Sequence, residues 1–289
     1  MSLGNILVAK GLVSKDGLRR AYDTLEESGG RLTDCLVALG LVSRDAVEQV
    51  EAEVPVAPGN LQETGNDPVF LLQLMAKGMY MENLETPSQV AGAMKLPSSI
   101  VNTLLKDAVD RKLVETLGQT DAGLGALAEM RYVLSRGGRD WASESMDKCQ
   151  YFGPAPVSLD AYQERVLRQR ITNEEVSQDR LDKAFEGLTI PERFLDRLGP
   201  AISSGTAILI YGAAGNGKTS IAQLAGHIFE DVVYIPHCFE VDGQIVKVFD
   251  PSLHRPIDEA GDGRRGLRRE RLDDRWVPCY RPMVMTAAS

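Results

Sequence analysis

At 289 residues, 43% hydrophobic and 25% charged, the chain is long enough for two or three domains with ordinary buried cores. Its formal net charge of −9 excludes a protein held to nucleic acid mainly by bulk charge. No apolar run reaches the ~18 residues of a membrane span. The first residues, Met1, Ser2, Leu3 and Gly4, fit neither a signal peptide nor a myristoylation site, so the expected compartment is the cytoplasm. Four cysteines, Cys35, Cys149, Cys238 and Cys279, are far apart and form no C-x-x-C pair. With the three histidines, His227, His237 and His254, they complete no zinc set.

Residues 3–18 and 32–47 coincide when shifted by 29 positions, at Leu3/Leu32, Leu7/Leu36, Val8/Val37, Ala9/Ala38, Gly11/Gly40, Leu12/Leu41, Val13/Val42, Ser14/Ser43 and Asp16/Asp45. This is an internal duplication. Each copy reads as a short apolar helix, a glycine stop (Gly11, Gly40), then a serine cap (Ser14, Ser43) opening a second helix over 15–25 or 44–51. Two copies are too few for a solenoid, so residues 1–54 are expected to close as one all-α domain.

The repeat resembles the MshE-type N-terminal domain of type II secretion and type IV pilus assembly ATPases, whose pattern R-L-G-x-x-L-V-x-x-G-L-[IV] is used twice. The resemblance implies docking to protein partners and, as in some members, cyclic di-GMP binding. Carried over by position, the ligand residues would be Leu3, Gly4, Leu7, Val8 and Gly11, then Arg31, Leu32, Leu36, Val37 and Gly40. Ser2 stands where the first arginine belongs, Thr33 replaces a motif glycine, and Leu25 stands at the family glutamine. The lost arginine removes a planar cation suited to stacking on guanine, which favours docking.

Residues 55–67 are rich in Pro, Gly and Asn and read as a linker. From 68 the pattern is helical again: one helix over 69–77, a second from Thr86 with Pro87 at its first position, and a third from Pro97. Strands are expected over 113–117 and 130–134, and a helix over 139–148. Three helices and a two-stranded wing make residues 68–150 winged-helix-like. The third helix carries Lys106, Arg111 and Lys112 beside Asp107 and Asp110, and residues 68–150 hold nine Lys/Arg against ten Asp/Glu. A DNA reader shows a positive face, so protein contact is favoured over DNA.

Residues 151–158, with Gly153, Pro154 and Pro156, form a second linker. A helix over 159–170 follows, then a short segment over 174–179 capped by Thr172, helix over 180–187, and a further helix from Ile190. Helical material ahead of a Gly-Pro and a first strand resembles the N-linker of AAA+ ATPases.

Residues 208–211 read as a buried strand, 212–219 fit G-x-x-x-x-G-K-[ST], and an amphipathic helix starts at Thr219. That order is the context of a P-loop. Backbone N–H groups must wrap a polyphosphate, and a Cβ at the tightest positions blocks the approach, hence Gly212, Gly215 and Gly217. Ala213, Ala214 and Asn216 complete the loop. Lys218, the residue assigned to catalysis, would reach the β- and γ-phosphates of ATP. The Thr219 hydroxyl would ligate Mg²⁺, and Ser220 adds to the helix N-terminus.

After the loop, 232–235 reads as the next parallel strand of a doubly wound sheet. Residues 239–249 read as a hairpin turning at Asp242-Gly243. Residues 251–276 read as an Arg-rich solvated loop, and 281–286 as one more strand.

Hydrolysis needs an apolar strand ending in Asp-Glu. The nearest candidate is 245–250, but Lys247 interrupts the run and Pro251 replaces the Glu. Asp273-Asp274 follows no strand. An AAA+ core needs about 200 residues, so residues 159–289 are expected to be a partial core and the chain a fragment. The arrangement resembles bacterial AAA+ ATPases in which a secretion-type repeat and a winged helix precede the P-loop. That implies ATP and Mg²⁺ as cofactors, and rings of identical subunits in full-length relatives, coupled to remodelling or to secretion- or pilus-like assembly. The alternatives are a nucleotide-binding signalling or adaptor protein without hydrolysis, and a winged-helix DNA-binding regulator. The expected fold class is multidomain, mainly α and then α/β: an all-α tandem-repeat N-domain, a winged-helix-like domain and an incomplete P-loop NTPase parallel sheet.

Overall fold

A computed structural model describes residues 3–29, 31–120, 128–171, 176–188, 190–213, 215–226, 228–229, 231–257 and 272–284. Among them the chain is mainly α, then mixed α and β, with three small sheets.

The duplication folds as four helices, α1 (Leu3–Ala9), α2 (Lys15–Ser28), α3 (Leu32–Ala38) and α4 (Arg44–Glu53). Both serine caps form: Ser14 Oγ accepts from Gly17 N at 3.0 Å, and Ser43 Oγ from Ala46 N at 3.2 Å. Each satisfies one orphan donor of a helix start. Gly11 and Gly40 take φ of 70° and 66° after the first helix of each copy. The matching apolar positions Leu3, Leu7, Leu32 and Leu36 point into one core.

Residues 55–67 are held in place. Val56 bridges Leu272, the Asp273 N–H donates to Pro55 O at 3.0 Å, and a 3₁₀ turn spans Gln62–Thr64. A Pro/Gly/Asn composition signals irregular backbone, whose carbonyls still need partners when buried. Arg275 supplies them for both linkers: its Nη1 donates to Thr64 O at 2.8 Å and to Pro156 O at 3.1 Å.

Next come α5 (Pro68–Met81), α6 (Pro87–Met94), α7 (Ser98–Asp110), the antiparallel pair β1 (Val114–Gln119) and β2 (Met130–Leu134), and α8 (Arg136–Lys148). Thr86 and Gln89 close a reciprocal capping box at the α6 start. The core of this unit is built on Leu71, Leu72, Leu74, Met75, Leu104 and Leu105. The last helix starts three residues before the expected 139, because Ser135 Oγ accepts from Gly138 N at 3.0 Å.

Beyond it lie β3 (Val157–Ser158), α9 (Leu159–Arg168), α10 (Gln178–Ala184), α11 (Glu192–Ser203), α12 (Lys218–Gly226), β4 (Val232–Pro236), β5 (Cys238–Val241), β6 (Gln244–Lys247) and β7 (Trp276–Tyr280). The hairpin β5–β6 turns at Asp242 (φ 49°) and Gly243 (φ 76°), as its Asp-Gly pair requires.

The parallel P-loop sheet is not formed among the described residues. Residues 208–211 adopt no strand, and Ile208, Leu209 and Tyr211 are 43%, 84% and 87% exposed. The strand β4 runs antiparallel to β7, from Val232↔Tyr280 to Pro236↔Trp276. Among the described residues the only parallel pairing is the two-residue contact of β3 with β5. Residues 281–284 are not a strand; the strand sits at Trp276–Tyr280, overlapping the expected loop of 251–276 only at Trp276. An apolar run specifies a strand but not its partner. Here the partner follows from cover on both faces of β4. Val232 and Tyr234 pack with Trp276 under the helical repeat, while Val233 and Ile235 pack with Cys279, Val248 and Phe249.

Candidate functional site

The glycine loop is built by backbone conformation. Gly212, Gly215 and Gly217 have φ of 151°, 87° and 68°, and nothing lies within 4 Å of where a Cβ would stand on any of them. Glycine is therefore required for conformation and not for space. Gly217 O accepts from Ile221 N at 2.9 Å, so the first turn of α12 closes on the last loop glycine. Lys218 opens that helix, and its Nζ turns back to donate to Ala213 O at 2.7 Å. The ammonium is thus held across the mouth of the loop.

The structure brings Gly212, Ala213, Gly215, Asn216, Gly217, Lys218, Thr219 and Ser220 together on one exposed turn, with only Lys218 partly covered. Ala214 lies outside the described residues. Thr219 and Ser220 stand at the helix N-terminus, where unpaired N–H groups and the positive dipole end favour an anion. The donor set fits a phosphate chain: a cation, successive backbone amides and two hydroxyls. It fits Mg²⁺ only in part. Thr219 offers one oxygen, and among the described residues no three His, Cys, Asp or Glu side chains cluster to hold a metal.

The carboxylates considered for hydrolysis are engaged elsewhere. Asp250 follows β6 on the outer arm of the hairpin. Its Oδ1 accepts from Ser252 N at 2.8 Å and Ser252 Oγ at 2.7 Å. These hydrogen bonds, the side-chain one foremost, hold its carboxyl below the usual range. Asp273 is buried in an ion pair with Arg275, Nη2 to Oδ2 at 2.9 Å. Neither makes a hydrogen bond or ion pair to the glycine loop among the described residues.

The residues carried over for cyclic di-GMP divide between core and surface. Leu3, Gly4, Leu7, Leu32 and Leu36 are buried, and an added Cβ on Gly4 would stand 2.6 Å from Leu18 Cδ1. Val8 and Val37 are half-buried, while Gly11 and Gly40 lie on the rim. Arg31 is exposed and pairs with Glu51 at 3.3 Å.

Sequence reading passed over four residues that organise this region: Gln169, Asp231, Arg275 and Arg281. Asp231 and Arg281 meet across fifty positions of chain, with no local signal. Asp273-Asp274-Arg275 is a compact charged run ahead of a tryptophan, and nothing in that pattern foretells that Asp273 and Arg275 are buried. No family model, curated protein or solved structure matches this chain, so the site is read from its own chemistry.

Proposed function

We propose that the chain binds the phosphate chain of ATP, with Mg²⁺, at residues 212–220, as the nucleotide-handling part of an AAA+ type ATPase. One observation carries this: three left-handed glycines lead into a helix whose first residue, Lys218, folds its ammonium back over the loop. A triphosphate would replace Ala213 O as the partner of Lys218 and meet the amides of the α12 start. The four-helix repeat is the docking module of this reading, with cyclic di-GMP as its small-molecule candidate. Residues 68–150 are its winged-helix-like module, and residues 159–289 its partial ATPase core. Homo-oligomeric rings in the cytoplasm are the assembly that the AAA+ resemblance implies.

A second reading, nucleotide binding without hydrolysis, is favoured by the engagement of Asp250 and Asp273 away from the loop. DNA binding is disfavoured at a particular atom. The Ser88 N–H, in the first turn of α6, donates to Glu129 Oε2 at 3.3 Å. A carboxylate stands where a helix start would otherwise meet a DNA phosphate.

Calorimetric titration with ATP·Mg²⁺ tests the binding claim. Wild type is expected to bind and Lys218→Ala to lose at least about tenfold in affinity, the scale of a charge-assisted contact. Equal affinities would overturn the site. Steady-state phosphate release separates the two readings, since turnover abolished in Lys218→Ala would remove the non-hydrolysing one.

A further inference from the structure

The hydrophobic cores divide the chain at an unexpected place. One cluster, built on Leu181, Phe185, Leu198, Ile202 and Ile228, draws its half-buried neighbours only from residues 176–229. The other three clusters draw none of their members from residues 170–230 among the described residues. The glycine loop therefore belongs to a lobe with its own core. Among the described residues the backbone crosses between this lobe and the rest next to Gln169 and next to Asp231.

Both crossings are tied by one side chain. Arg281 Nε donates to Asp231 Oδ1 at 2.9 Å and Oδ2 at 3.0 Å, and Nη2 donates to the same carboxylate. Its Nη1 donates to Gln169 O at 2.8 Å. The Gln169 amide in turn lies along β4 as a neighbouring strand would. Its Nε2 donates to Tyr234 O at 3.1 Å, and its Oε1 accepts from Tyr234 N at 2.6 Å. Entry and exit are thus fixed to each other and to the β4–β7 pair.

Two contacts reach from this clasp into the lobe. The Arg281 guanidinium lies 5.9 Å from the ring centroid of Phe229, which packs against the lobe's cluster. Met283 seats on Gly226 at the end of α12, where an added Cβ would stand 2.3 Å from Met283 Sδ. The Arg281 and Asp231 side chains are 12% and 21% exposed, so their attraction is less screened than that of a surface pair.

We propose that the described residues of 176–229 form a hinged lobe carrying the glycine loop, and that the Arg281–Asp231–Gln169 clasp sets its orientation on the rest of the molecule. A lobe held at two adjacent crossings can rotate without detaching, and a few backbone dihedrals next to the clasp absorb the turn. This inference rests on the division of the cores and on the clasp, not on the nucleotide reading, so the two can fail separately.

The test is a distance distribution between nitroxide labels at Glu144→Cys on α8 and Lys183→Cys on α10, in the full chain carrying Cys149→Ser. Wild-type clasp is expected to give one narrow distribution. Arg281→Met and, separately, Asp231→Asn are expected to broaden it, and the double variant to broaden it no further. Hydrogen exchange read in parallel is expected to rise about tenfold at 169–171 and 228–231 while α5–α8 and the core of α11 keep wild-type protection. A narrow distribution in both single variants overturns the hinge. Loss of protection in α5–α8 in step with the crossings also overturns it, since the clasp would then hold up the whole fold.

Discussion

Arg275 shows how one side chain makes two irregular segments buildable. Four of its five N–H donors have protein partners: Nε and one of Nη2 on the Asp273 carboxylate, both of Nη1 on the carbonyls of Thr64 and Pro156. Both members of the pair are over nine-tenths buried. Removing one partner leaves the other charge stranded, which costs about 3–5 kcal/mol. Arg275→Met is therefore expected to lower the free energy of unfolding by about that amount in a denaturant titration. Replacing both residues, Asp273→Leu with Arg275→Met, is expected to recover part of the loss, because no charge is stranded. A double variant no more stable than Arg275→Met would show that the carbonyl contacts outweigh the ion pair. Lys77 poses a related problem on α5. It is buried, and its Nζ donates to Cys149 O at 3.0 Å beside the end of α8. Desolvation lowers its folded pKa below the ordinary 10.5, against a smaller opposing effect of Cys149. The unfolded chain then holds more protons between the folded value and 10.5, so this residue's penalty fades as pH rises through that window. Comparing stability against pH for wild type and Lys77→Met is expected to show a steeper rise in wild type. Parallel curves would remove the effect.

At the scale of elements, local chemistry was readable and partner choice was not. Ser14 and Ser43 announce helix starts by a side-chain oxygen three residues ahead of a free N–H, and the repeat shows the same grammar twice. Ser14→Ala and Ser43→Ala are each expected to cost about 1 kcal/mol, seen as lowered midpoints with unchanged m-values. A null effect at either would mean its helix is held by packing alone. Asp242-Gly243 was equally legible, because few dipeptides tolerate two positive φ values in succession. The strands around the glycine loop were not. Residues 208–211 have the composition of a buried strand but no neighbour pairs with them in the described residues. For β4 the direction of pairing depends on β7, some forty residues on, and on helices near the N-terminus that cover its outer face. No window of sequence holds that information. The glycine loop was legible residue by residue, since positive φ at three glycines and a helix start are both local. Where the candidate carboxylates go was not, because Ser252 and Arg275 claim them through contacts a motif does not encode.

Across the whole molecule, the repeat and the β4–β7 pair make one core although nearly two hundred residues separate them. Leu3, Ile6 and Leu7 of α1 and Leu36 of α3 join Val232, Tyr234 and Trp276 in a single buried cluster. Arg165 of α9 seals its edge, with its guanidinium 5.3 Å from the Tyr234 ring centroid and 5.7 Å from that of Trp276, and a hydrogen bond to Glu53 O at the end of α4. The unit on α5–α8 keeps a separate core to which none of these residues belongs. Cooperative stability should follow cores and not chain order. Trp276→Ala removes the largest side chain of the shared cluster, a change that costs about 3–5 kcal/mol. It is expected to raise hydrogen exchange in α1 and α3 as much as in β4 and β7, and to leave α5 and α7 protected. If α1 and α3 kept their wild-type exchange, the repeat would stand on its own core. Its packing on β4–β7 would then be a docked contact and not a folding unit.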